Sequence, residues 1–151
     1  MELLPSIVLR HADRVRHALT QTLGSRDAAD IIYHGMRLQA RHGECFASAT
    51  HLGFDVAFSR FVRRNGYPPD PESADMDRVR HNGKILTIRL IDQLRRAGLV
   101  RTTRRIRSNG EQGTNLVDFT ALWDIIRPVV QQLIQSKEWH DAKSVWRAGR
   151  A

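Results

Sequence analysis

The hydrophobic positions at the start of the chain recur with the period of a helix. Val8, Ala12, Val15, Leu19 and Leu23 follow Pro5 at steps of four, three, four and four, which predicts one amphipathic helix over residues 5–23, stopped by Gly24. Arg10, Arg14 and Arg16 fall on its polar side and read as solvated. Ser25 stands where a helix cap belongs, Asp27 suits the positive end of the helix, and Ala28, Ile31, Ile32, Gly35 and Leu38 form a second stripe that stops near Gly43. Residues 44–46 have the length of one edge strand. The spacing of Ala49 and Gly53 then predicts close helix-to-helix packing with a bend at Gly53, and Phe54, Phe58, Phe61 and Val62 share a face expected in the core.

Residues 65–83 break the period. Pro68, Pro69 and Pro71 alternate with Asp70, Glu72, Asp75 and Asp77, which predicts a long mobile loop open to protease. The helical pattern returns over 84–97, where Leu86, Leu90, Ile91, Leu94 and Ala97 fall on one face and Arg89, Asp92, Gln93 and Arg96 opposite. Gly98 supplies the left-handed stop, and an extended segment begins at Leu99. Ser108, Asn109, Gly110 and Gly113 suit a turn, and residues 115–119 alternate as a returning strand. Thr120 is placed to cap a closing helix with the stripe Leu122, Ile125, Ile126, Val129, Val130 and Leu133, in which Pro128 predicts a kink or two abutting helices. Trp139 and Trp146, seven apart, suit packing on this domain or on a partner.

Helix, glycine, strand, turn and strand is the order of a winged helix-turn-helix. The expected fold is mainly α with a small β-hairpin, as a single domain over residues 1–151 with extra N- and C-terminal helices, the recognition helix and wing lying in 84–119 and the C-terminal helical region in 120–151. Two segments compete as recognition helix, 55–64 and 84–97. The second leads directly into the hairpin and is preferred.

Charge sharpens this picture more than composition does. With 151 residues and 41% hydrophobic content, the chain has enough material for a core. Its net charge of +8 is the unusual property, and it points to an acidic partner: DNA, RNA, an anionic membrane or an acidic protein. Residues 84–107 hold eight cations against the single acid Asp92, so one helix and hairpin carry most of that excess. Lys84, Arg89, Gln93, Arg96, Arg101, Arg104, Arg105 and Arg107 are the candidate DNA-contacting residues. The competing reading makes the strand arginines a solvated hairpin edge that discourages aggregation.

Catalytic chemistry is not expected. Asn82-Gly83-Lys84 lacks the first glycine and the hydroxyl residue of a phosphate-binding loop, and the seven histidines never take the zinc-hydrolase spacing. The lone Cys45 leaves no disulfide and reads as a small buried hydrophobe. No cofactor, metal or small-molecule substrate is therefore expected. Neither a membrane-spanning run nor a secretory start is present in the sequence, so the expectation is a soluble intracellular protein with no membrane partner, nuclear if eukaryotic.

Three stretches carry a family likeness. Leu23-Gly24-Ser25 followed by residues 28–42, Leu90-Ile91-Asp92-Gln93-Leu94 with Ala97-Gly98-Leu99-Val100, and residues 101–113 with residues 115–119 and the helix from Thr120 resemble the winged-helix domain of the alpha subunit of general transcription factor IIE and its archaeal counterpart. The third-largest subunit of RNA polymerase III contains similar winged helices. Over residues 15–136, the resemblance implies a non-catalytic role in transcription initiation, binding double-stranded DNA, RNA polymerase or another transcription-factor subunit near the promoter. The family's four-cysteine zinc ribbon has no counterpart in a chain with one cysteine, and the 65–83 segment exceeds the usual spacing. A plasmid or viral repressor or replication initiator, and a structural winged-helix protein of the ribosome, are alternatives of the same fold.

Overall fold

Helix α3 (Arg26–His42) is buried over more than half its circumference, and the other elements assemble around it. The computed structural model describes residues 4–45, 47–104 and 115–136. In chain order these form α1 (Ile7–Arg10), α2 (Ala12–Leu23), α3, α4 (Ala49–Asn65), α5 (Ala74–Arg96), β1 (Arg101–Thr103), β2 (Leu116–Asp118) and α6 (Thr120–Gln135). The chain is mainly helical with one small antiparallel sheet. Ile32 and Met36 of α3 meet Val15 and Leu19 of α2, Leu52 of α4, Leu94 of α5 and Leu122 and Ile126 of α6 in one core. Phe119 seals it at Gly35, where a methyl group would come within 2.6 Å of the Phe119 ring.

The predicted helix over 5–23 is two helices. His11 leaves the helical basin (φ −120°, ψ 48°) between α1 and α2, and no glycine or proline signals the break. Ser25 caps α3 as expected, its hydroxyl accepting a hydrogen bond from the Ala28 amide at 3.2 Å. The short strand expected at 44–46 is represented by Cys45, which pairs antiparallel with Val117. Cys45 is fully buried and burial pushes its thiol pKa up, the state of a packed hydrophobe rather than a nucleophile.

Three expectations in the middle of the chain are corrected. Gly53 makes no bend: α4 runs unbroken from Ala49 to Asn65, and Gly53 is the point where α4 crosses Gly83 of α5. The long loop expected over 65–83 shrinks to residues 66–73, because Ser73 caps a helix that begins at Ala74, its hydroxyl accepting from the Met76 amide at 3.3 Å. Met76, Val79, Gly83, Thr87 and Leu94 are the buried positions of this 23-residue helix. Phe54, Phe58 and Phe61 are only half-buried, flanking the α4–α5 pair outside the main core.

Further differences concern the C-terminal part. Ala97 is exposed rather than packed. Pro128 lies inside one continuous α6; its missing amide faces the exposed side of the helix at Asp124, where water can satisfy the freed carbonyl. Ile125, expected in the stripe of α6, is 52% exposed. Phe119 rather than Thr120 is the capping residue of α6, and Asp118 supplies the acceptor: its carboxylate takes hydrogen bonds from the Thr120 amide at 3.0 Å and hydroxyl at 2.6 Å. The turn residues Ser108, Asn109, Gly110 and Gly113 and the tryptophans Trp139 and Trp146 lie outside the described residues.

Gln39 ties this cap to α3. Fully buried, it donates to the Asp118 carboxylate at 2.8 Å and accepts from the Phe119 amide at 2.8 Å, so both ends of its side-chain amide are used. Replacing Gln39 with Leu leaves the Phe119 amide without that acceptor and should destabilise the fold by about 1–3 kcal/mol in urea unfolding. Burial raises the Asp118 pKa, but the hydrogen bonds from Thr120 and Gln39 outweigh it and hold the carboxyl below its usual range. A depressed pKa contributes stability above the unfolded value, and that contribution is lost as pH falls through the folded value. The urea midpoint of the native chain should therefore fall more steeply below about pH 4 than that of Asp118→Asn, and parallel pH profiles would defeat this assignment.

Candidate nucleic-acid interface

Helix α5 passes straight into the hairpin through a tight stop. The Leu99 amide donates to the Leu94 carbonyl at 2.9 Å and the Gly98 amide to the Arg95 carbonyl at 3.0 Å, the paired bonds of a Schellman motif, with Gly98 at φ +75°. This stop fixes where β1 begins relative to the helix. β1 and β2 then pair antiparallel with Arg101 opposite Asp118, Thr102 opposite Val117 and Thr103 opposite Leu116.

The buried stripe of α5 leaves the opposite side to solvent. Lys84, Arg89, Gln93 and Arg96 are all exposed, so the helical members of the candidate set share the outward half of one helix. Arg89 and Arg96 are seven residues apart, about 10.5 Å along the axis and nearly in line. Arg78, eleven residues before Arg89, continues the same line. Sequence reasoning missed Arg78, His81 and Asn82 as helical surface because the prolines and acids before them masked the start of α5. The signal was present in Ser73 followed by Asp75, a cap with an acid in the first turn, and in Met76, Val79 and Gly83 at steps of three and four.

Asp92 sits within this cationic side and is shared. Arg95 donates to it at 2.7 Å and Arg96 approaches it at 3.1 Å, and the Arg95 hydrogen bond holds its carboxyl below the usual range. Such exposed pairs contribute little, so either guanidinium can leave Asp92 for a phosphate at small cost. Arg89 has no acid within ion-pair distance among the described residues.

The hairpin contributes less uniformly. Thr102 faces a shallow groove of about 290 Å³ that also meets Ile88, Ile91 and Arg95 of α5 and Ala49 of α4. Strand alternation therefore turns Arg101, although exposed, to the other face of the two-stranded ribbon, beside Asp118 rather than beside α5. Arg104 is exposed immediately beyond β1. Arg105 and Arg107 lie outside the described residues. Ile88, 46% exposed in the middle of the outward side of α5, is an apolar position that the charge pattern did not single out.

Among the described residues no cluster of three metal-ligating side chains occurs, and no helix is long and apolar enough to cross a membrane. No protein-family model, curated protein or solved structure matches the chain.

Proposed function

We propose that the chain is a non-catalytic winged-helix protein that binds double-stranded DNA, with α5 in the major groove and the β1–β2 connection along the phosphate backbone. The order of helix α3, the Cys45–Val117 bridge, helices α4 and α5 and the two strands supports this reading, the isolated bridge at Cys45 standing where that fold would have its first strand. One observation carries the DNA reading: α5 runs directly into the hairpin while its solvent side aligns Arg78, Arg89 and Arg96, with Lys84 and Gln93 flanking them. A groove-entering helix needs donors on its outward side, and guanidinium reads guanine edges while also neutralising phosphate. The resemblance to the transcription factor IIE alpha subunit supports a promoter as the place of this contact and RNA polymerase or another transcription-factor subunit as a second partner.

Fluorescence anisotropy with labelled duplexes tests the reading. The native chain should bind with an affinity that falls linearly on a log–log plot against salt. Arg89→Ala with Arg96→Ala should compress the ratio between a duplex selected from a random pool and an unselected one, by about 1–3 kcal/mol for each guanidinium that reads a base edge. Absence of duplex binding at low salt would end the DNA assignment.

A further inference from the structure

Tyr67, Ile88 and Ile125 are the large apolar side chains left exposed among the described residues, and of these only Ile88 lies on the basic side of α5. Lys84 stands one turn before it, Arg95 two turns after it and Arg89 next to it in the chain. Ile88 and Arg89 are about 100° apart around the helix with Asp92 between them, so the arc of α5 that a groove would enclose carries an apolar side chain on one shoulder and a guanidinium on the other. The charge of Asp92 is already taken up by Arg95 at 2.7 Å and Arg96 at 3.1 Å. What covers Ile88 must therefore be polyanionic and yet offer an apolar group.

The apolar surface is recessed. Ile88 forms one wall of the groove of about 290 Å³ between α5 and the hairpin, whose other apolar lining includes Ala49 of α4, Ile91 of α5 and Val117 of β2, with Thr102 on the hairpin side and Arg95 also lining it. Such a notch suits a small apolar knob carried on a polyanion. An anionic bilayer would call for the opposite shape, an apolar side chain that projects. The major groove of DNA presents one aliphatic group, the C5 methyl of thymine, and apolar side chains read it by contact.

We infer that Ile88 makes α5 a reader of the thymine C5 methyl, which the notch between α5 and the hairpin receives. The inference rests on the duplex reading proposed above and adds a sequence requirement that the arginines do not impose, since guanidinium hydrogen-bonds to guanine edges and has no means of sensing a methyl group.

Deoxyuridine is the probe. It keeps every hydrogen-bonding group of thymidine and lacks only the methyl, so a duplex selected from a random pool is compared with copies in which each thymine in turn is replaced by deoxyuridine. Fluorescence anisotropy with the native chain should show at least one position where the exchange weakens binding about fourfold, the effect of burying one methyl group. Ile88→Ala should bind the thymine and deoxyuridine duplexes equally and keep the native salt slope, because no charge is lost. Alanine is the better helix former at this exposed position, so the variant keeps the fold. The two exchanges form a double-mutant cycle, and a merely structural role for Ile88 would not move the ratio between the duplexes.

Duplex binding that ignores the exchange at every thymine would overturn the methyl contact and leave the DNA reading standing. Sensitivity retained in Ile88→Ala would overturn it as well, placing the effect in the shape of the duplex or in another side chain. Failure of the native chain to bind any duplex at low salt would instead end the DNA reading, and this inference with it.

Discussion

Gly83→Ala is expected to destabilise the chain by about 2 kcal/mol or more, although alanine is the better helix former by roughly 1 kcal/mol. A methyl group on Gly83 would stand 2.7 Å from the Gly53 carbonyl oxygen and 2.8 Å from its carbon, and both obstacles are backbone. No rotamer change relieves them. The helices must separate, and Thr87, which is buried at the crossing with its hydroxyl bonded to the Gly83 carbonyl at 2.9 Å, moves with them. Asn82→Ala supplies the control: this neighbour is exposed, so a somewhat smaller gain in helix propensity comes without the clash and should leave stability level or slightly raised. Urea unfolding of the two variants separates the terms. A Gly83→Ala chain as stable as Asn82→Ala would show that the helices do not meet at this point.

The same crossing explains why the middle of the chain was hard to read. A glycine inside a helical pattern signals either a stop or a close approach, and Gly53 and Gly83 are the second kind. Only the partner decides, and the partner is thirty residues away. Gly24 and Gly98 were legible because each is followed by a fresh signal, a capping serine or an extended run, and both adopt positive φ. Pro69 and Pro71 hid the start of α5, since they belong to a short connection and say nothing about the residues after Ser73. The exposed arginines of α5 were legible from the helical period alone. The sorting of Arg101 away from that helix was not, because it depends on Thr102 turning toward Ile88. The pairing of Gln39 with Asp118 across 79 residues was likewise invisible, for a polar residue in an apolar stripe acquires meaning only from what stands opposite it.

Replacing Arg101, Arg104, Arg105 and Arg107 together by Ala should weaken binding to all duplexes with little change in preference between them. Phosphate contacts position a protein on DNA and carry no sequence information, whereas the base-reaching side chains on α5 stay intact. If all four arginines neutralise phosphates, the slope of log affinity against log salt becomes shallower by about 3.6, and between 50 and 200 mM salt the native chain loses about 150-fold more affinity than the variant. Arg101 provides an internal discrimination. Its place on the ribbon face opposite Thr102 and beside Asp118 predicts that Arg101→Ala alone changes the slope less than Arg104→Ala alone. An Arg101 effect equal to that of Arg104 would mean that DNA meets both faces of the hairpin. A quadruple variant with unchanged slope and affinity would make the basic hairpin a solvated edge and leave α5 to hold the duplex by itself.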